Sequence, residues 1–161
     1  MASPDQDHKI KVLFVCTANI CRSPLAEAVL SQLAAESGLS DQLVIDSAAA
    51  SVWQLGSPTH PRAIEVLRTH GIEFNHTARL FRPEDRTNFD YILGMDNDVL
   101  RSLYSIGKGP AKIQPFVKYA PSLKLEQIPD PMKSGDFAAT YAQISTGCQG
   151  FLAFLRKTHE L

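Results

Sequence analysis

A chain of 161 residues, 44% hydrophobic and 20% charged, has the size and composition of one globular domain with its own core, and this excludes a disordered or low-complexity protein. Sixteen Lys and Arg stand against seventeen Asp and Glu, and the basic residues are scattered, which excludes a nucleic-acid-binding stripe. Residues 1–9 are polar and the apolar run behind them is short, so a disordered tail is expected at 1–9, with neither a signal peptide nor a membrane span, and a single domain over 10–161.

Three cysteines are an odd count in a chain large enough to fold without staples. Free thiols and a reducing compartment are expected, hence a cytoplasmic protein. Cys16, Cys21 and Cys148 offer no pair at zinc-finger spacing and the histidines show no ligand pair, so no metal is expected.

In chain order, residues 11–15 (K-V-L-F-V) form a β-branched, nearly continuous apolar run, the pattern of a strand buried on both faces. From 25 to 36 the positions Leu25, Ala26, Val29, Leu30 and Leu33 recur at helical spacing, with Pro24 in the first turn and Gly38 as the stop. The alternation continues with a strand at 43–46, a helix at 61–70, a strand at 91–95 and a helix at 96–104. Residues 111–116 read as a weaker strand, placed at a sheet edge because of Pro115. Phe137, Tyr141, Ile144, Cys148, Phe151, Leu152 and Leu155 step along a long last helix, with Gly147 and Gly150 expected to loosen it. Repeated strand–helix units predict an α/β fold, a small parallel sheet flanked by helices on both faces, with the functional loop at the carboxyl end of strand 1.

That loop reads Cys16-Thr17-Ala18-Asn19-Ile20-Cys21-Arg22-Ser23-Pro24. Successive backbone N–H groups ahead of a helix N-terminus make a concave site for a tetrahedral oxyanion, and the same field favours the thiolate of Cys16. Arg22 can bind two oxygens of a phosphoryl group at once, which a lysine cannot. Ser23 can donate its hydroxyl to the sulfur. Asp130, in the Ile-Pro-Asp-Pro segment before the last helix, is expected on a rigid non-helical turn as the acid that protonates a leaving group. Each residue also has a plainer use: Cys16 as a core thiol, Ser23 as a helix cap, Asp130 as a turn former. Thiol, arginine and hydroxyl falling together on one strand–loop–helix junction favour the chemical reading.

The residues resemble the low-molecular-weight protein tyrosine phosphatase family, whose signature loop stands here as Val15 through Pro24. The similarity continues through Val44-Ile45-Asp46-Ser47, Trp53 with Gly56, Pro61-Arg62-Ala63, His70-Gly71-Ile72, Ala78-Arg79, Tyr91-Ile92-Leu93, Met95-Asp96 and Asp130-Pro131. It implies a four-stranded parallel sheet, with Cys16 as nucleophile, Arg22 as phosphate clamp and Asp130 as general acid and then base. Ser23 is implied as thiolate stabiliser, and Asn19, Ser47 and His76 as the hydrogen-bonded support of the loop. No cofactor is implied. Substrate contacts fall to the loop residues Thr17, Ala18, Ile20 and Cys21 and to a lid at Met132 and Lys133, while Trp53 is either a binding wall or packing. The partners implied are phosphotyrosine-containing proteins, with phosphate or other oxyanions as inhibitors, and no nucleic acid or membrane. Cys16 and Cys21 on one short loop suggest redox regulation through a disulfide.

The sequence departs from the family pattern in two places. Ala18 replaces the signature glycine, which matters if that position needs a positive φ, and Met132-Lys133 replace two tyrosines. Three rival readings are weighed. An arsenate reductase on the same scaffold needs further downstream cysteines, and only Cys148 is available. A phosphoarginine phosphatase of the related group carries threonine where Ile20 stands. A non-catalytic phospho-binding module has no need of thiol, arginine and acid together.

Overall fold

Side chains at 12–15 are apolar on both sides of the strand because the strand has a core on each face. In the computed structural model, which describes residues 8–161, β1 (Ile10–Cys16) lies inside a parallel sheet whose other strands are β2 (Leu43–Ala49), β3 (Tyr91–Gly94) and β4 (Lys112–Pro115). The order is β2-β1-β3-β4, with Pro115 at the end of an edge strand, where its missing N–H costs the sheet little. Of the expected tail, residues 1–7 lie outside the described residues; His8 and Lys9 are exposed.

Val12 and Phe14 face a core shared with α1 (Arg22–Glu36), α2 (Pro61–Thr69) and the long α6 (Phe137–His159). Leu13 and Val15 face a second core with Phe81 and with Val99 and Leu103 of α4 (Asn97–Ser105). Burying each such side chain contributes roughly 1.5–3 kcal/mol relative to exposure. Two short helices complete the fold, α3 (Asp85–Asn88) and α5 (Pro131–Ser134). Among the described residues, no helix is long and apolar enough to cross a membrane.

The chain leaves β1 for α1 on one face and β3 for α4 on the other, so the loops after these neighbouring strands diverge. The crevice they leave at the carboxyl ends of the strands is where ligands bind in open α/β sheets. One sequence expectation needs correction here. Asp130 itself has extended backbone as expected, but the turn that follows it is helical: Asp130 caps α5, and its carboxylate accepts from the Met132 N–H at 2.9 Å. Pro131 occupies the first helical position, where no N–H is needed.

Gly147 and Gly150 do not loosen α6, which runs unbroken past both. They are sites of close approach, since a Cβ on Gly147 would run into the Phe116 ring and one on Gly150 into the Tyr119 carbonyl oxygen. The second obstacle is backbone and cannot rotate away. Gly150→Ala should therefore lose stability by about 1–3 kcal/mol through overpacking, although alanine is intrinsically the better helix former. Thermal and urea unfolding should show the loss; a stability equal to or above wild type would show that the helix can shift at no cost.

Candidate active site

β1 ends at Cys16 and α1 begins at Arg22, leaving five residues to turn the chain. The turn requires one left-handed residue, and that residue is Asn19, with φ of 58°. Ala18 does not have a positive φ, so the missing signature glycine leaves the loop conformation unstrained at that position. Asparagine tolerates the left-handed region better than most residues because its short polar side chain can bond locally.

Asn19 is fully buried and its amide is bonded on both ends. Its Nδ2 donates to Ser23 Oγ at 2.8 Å and to Ser47 Oγ at 3.0 Å, and its Oδ1 accepts from the Arg79 N–H at 3.1 Å. His76 Nε2 lies 2.8 Å from the same Oδ1. An amide oxygen only accepts, so Nε2 carries the hydrogen and Nδ1 is turned toward Glu27 Oε1 at 3.4 Å. Because Ser23 accepts from Asn19, its own proton is free for Cys16 Sγ, 3.0 Å away.

Arg22 is buried, at 3% exposure, and is fixed by its Nη1, which donates to Asp96 Oδ2 at 2.8 Å and to the Ile128 carbonyl at 2.9 Å. Its Nη2 lies 4.0 Å from Asp130 Oδ2. Asp96 stands just past β3 and caps α4 through its other oxygen, which accepts from the Val99 N–H at 2.8 Å. One carboxylate thus holds both a helix start and the arginine.

Cys16, Thr17, Ala18, Ile20, Cys21 and Arg22 line one pocket with Trp53, Asp130 and Met132. Its volume of about 40 Å³ is room for only a few water-sized groups, the scale of one small oxyanion. Trp53 and Met132 stand at its rim, 65% and 46% exposed, so Trp53 is a wall of the pocket and not core packing. Asn19, Ser23, Ser47 and His76 lie behind the loop as its support. Lys133 departs from expectation: it is exposed and does not line the pocket, because one helical step on α5 separates its direction from that of Met132.

Burial pushes the Cys21 thiol up to about 12, reinforced by the neighbouring Cys16 and Asp130. Cys148 is fully buried in the core, its thiol also pushed up by burial, with Sγ 3.6 Å from the Ala26 carbonyl. Burial likewise raises Glu27 to about 7, against a Ser47 hydroxyl that donates to it at 2.7 Å, and it lowers His76. Glu27, Asp46 and His76 bring ligand-type atoms within 4.8 Å of one another. Those atoms already have partners: Asp46 Oδ2 accepts from Nε and Nη2 of Arg79 at 3.1 and 3.0 Å, and Asp46 Oδ1 from the Ser47 N–H at 2.8 Å. The cluster is a hydrogen-bonded brace.

Sequence reasoning missed Glu27, Asp96 and the Ile128 carbonyl. Asp96 had a signal, being an acid at the carboxyl end of a strand next to β1. Glu27 had a weaker one, since it lies one turn beyond Ser23 on α1 and so shares its face.

A thiol and an arginine inside an anion-binding loop, at the carboxyl end of a parallel strand, are the arrangement of the cysteine-dependent phosphatases. Residues 11–161 match the family model described as low molecular weight phosphotyrosine protein phosphatase, and the chain belongs to that family. The low molecular weight phosphotyrosine protein phosphatase of Sus scrofa is 45% identical over 151 residues, covering 90% of this chain and 95% of its own. The crystal structure of YfkJ from Bacillus subtilis superposes with a TM-score of 0.89 at 40% identity, covering 93% of this chain and 96% of that one. A Drosophila arginine phosphatase structure has a TM-score of 0.85 at 36% identity, covering 91% and 98%.

The raised Glu27 gives a pH test. A carboxyl whose folded value is about 7, against an ordinary 4.5, stabilises the fold while protonated; that stability is complete below 4.5 and is lost as pH rises through 7. His76, lowered by burial, acts in the opposite direction, so the wild-type profile mixes the two. Glu27→Gln removes only the first. The stability difference between Glu27→Gln and wild type should therefore move in the variant's favour from pH 5 to pH 8, by on the order of 3 kcal/mol in urea titrations. A difference independent of pH would mean that Glu27 titrates as an ordinary surface carboxyl.

Proposed function

We propose that this chain hydrolyses phosphotyrosine in proteins, and aryl phosphomonoesters generally, through a phosphocysteine on Cys16. The observation that carries the reading is the single small pocket in which the Cys16 thiol, the Arg22 guanidinium and the Asp130 carboxyl meet. The Cys16 thiolate attacks phosphorus as the bond to the phenolic oxygen breaks. Loop N–H groups and the Nε and Nη2 of Arg22 hold the three equatorial oxygens, Nη1 being already fixed by Asp96. Asp130, with Oδ1 engaged in capping α5, uses Oδ2 to protonate the departing phenolate. In the second step Asp130 takes a proton from water, the water oxygen bonds to phosphorus, and the sulfur leaves as a thiolate stabilised by the Ser23 hydroxyl.

The names of the relatives support phosphotyrosine as substrate, and so does Ile20, whose branched apolar side chain on the pocket suits the flank of an aromatic ring. A phosphoarginine peptide is the control substrate, because one structural relative is described as an arginine phosphatase. Relay of a disulfide to Cys148, as an arsenate reductase would require, is opposed by its complete burial. Met132 gives the ring adaptable contact where the family has tyrosine, and Lys133 places a positive charge outside the pocket. Three free cysteines support a reducing, cytoplasmic location.

The decisive experiment is acid-quench trapping of labelled phosphate on the protein. Wild type should yield a phosphocysteine at Cys16, and Cys16→Ser should lose turnover while still binding phosphate or tungstate, since the loop donors and Arg22 remain. Turnover by Cys16→Ser would remove Cys16 from the role of nucleophile.

We also propose reversible redox control at the same loop. Peroxide converts the Cys16 thiolate to a sulfenic acid with release of hydroxide, and the Cys21 thiol then condenses with it, forming the disulfide and water. The raised Cys21 thiol resists oxidation itself, so Cys16 is attacked first. Mass spectrometry after mild peroxide should find the Cys16–Cys21 bridge, and Cys21→Ser should recover less activity with thiol reductant than wild type does. Equal recovery would show that Cys21 takes no part.

A further inference from the structure

The proposed acid and the loop that carries the nucleophile are far apart in sequence, and a short chain of contacts outside the pocket joins them. Asp130 begins α5, and Gly135 ends it in the left-handed conformation, its N–H bonded to the Pro131 carbonyl at 2.8 Å. The helix is a single turn, too short to hold itself in place. Its end is held from α2, where Arg62 Nη2 donates to the Gly135 carbonyl at 2.7 Å.

The same guanidinium lies 4.6 Å from the centroid of the Phe137 ring, at the start of α6. The ring of His60 stacks on Phe137, with centroids 5.0 Å apart and planes at 25°. Phe137 is 5% exposed, so this contact is packed and not a passing surface encounter. His60 in turn caps α2, its Nδ1 accepting from the Arg62 N–H at 3.1 Å, and its own backbone N–H donates to the Ile20 carbonyl at 2.8 Å. Ile20 belongs to the pocket loop. An unbroken path therefore runs from that loop through His60 and Arg62 to Gly135, and through the one-turn helix to Asp130.

We infer that Arg62, with His60 and Phe137, is a latch that positions Asp130 over Cys16. None of the three lines the pocket, so they are positioning residues and not catalytic ones. The inference rests on Asp130 being the general acid. Without the latch the one-turn helix samples other placements, the carboxyl leaves the line of the leaving oxygen, and proton donation suffers while oxyanion binding does not.

The test is leaving-group dependence in kcat/KM, which a general loss of folded protein does not produce. Asp130→Asn should lose about 100-fold on phosphotyrosine, whose phenolate needs a proton, and far less on dinitrophenyl phosphate, whose leaving group needs none. Arg62→Ala should lose about tenfold on phosphotyrosine and less than about twofold on dinitrophenyl phosphate, with the inhibition constant for phosphate unchanged. Arg62→Lys should recover part of the loss, and adding Arg62→Ala to Asp130→Asn should cost nothing further. Phe137→Leu supplies a second variant with the same expected pattern if Arg62→Ala fails to fold. Equal losses on both substrates, no loss, or full additivity with Asp130→Asn would overturn the latch. If Asp130→Asn itself shows no leaving-group dependence, it is the acid assignment that fails.

Discussion

The side-chain amide of Asn19 is the point on which the site's geometry depends. A left-handed residue in the middle of a tight loop is costly unless its surroundings over-determine it, and here one buried amide makes contacts with Ser23, Ser47, Arg79 and His76. The four partners come from three separate stretches of chain: Ser23 from the start of α1, Ser47 from the middle of β2, and His76 and Arg79 from the segment after α2. A buried polar network of this kind holds only when nearly every member is satisfied, since an orphaned group in low dielectric costs as much as a good bond contributes. The brace beneath it follows that logic. Arg79 bridges Asp46 and the buried Asp85, and Glu27 closes the far side through Ser47 and His76.

The sheet order decides what can surround the loop. Because β1 lies between β2 and β3, its carboxyl end is flanked by Ala49 on one side and, through the residues after Gly94, by Asp96 on the other. The Asp96 carboxylate reaches Arg22 from the neighbouring strand end, and the Ile128 carbonyl takes a second hydrogen of the same nitrogen. A buried guanidinium needs that compensation, and the compensation also immobilises it. The result is an arginine whose orientation is set before any anion arrives, which reduces the entropy cost of binding one.

How far this could be read in the sequence follows from the range of the interactions. β1, α1 and α6 were legible because their signals are local: an apolar run without alternation, or apolar residues at intervals of three and four. β2 extends three residues past its expected end at Asp46, through Ser47, Ala48 and Ala49, which have little strand propensity and are held by pairing with β1. α3 and α5 are too short to show a period at all. In the site, the loop itself was legible because its residues are contiguous. Asp96, Glu27 and the Ile128 carbonyl were not, because their roles arise only when separate elements meet. Gly147 and Gly150 were misread for the same reason: the sequence shows a glycine in a helix, and only the fold shows Phe116 and Tyr119 pressed against it.

Support is unevenly distributed around the pocket. The thiol, the arginine and the backbone donors sit on a loop braced from behind by buried side chains, whereas Asp130 sits on one helical turn with a partly exposed Met132 beside it. Such a difference in local packing is a difference in local stability, since segments with few buried apolar contacts open at lower cost. The chemistry proposed for Asp130 tolerates small adjustments within the hold that Arg62 gives the end of α5, because the carboxyl must meet leaving groups of varied shape and then a water molecule in the same place. The anion site does not tolerate it, because the oxygens of a phosphoryl group are the same in every substrate. A rigid floor for the invariant part of the substrate and a lightly held wall for the variable part therefore follow from where the buried polar groups lie.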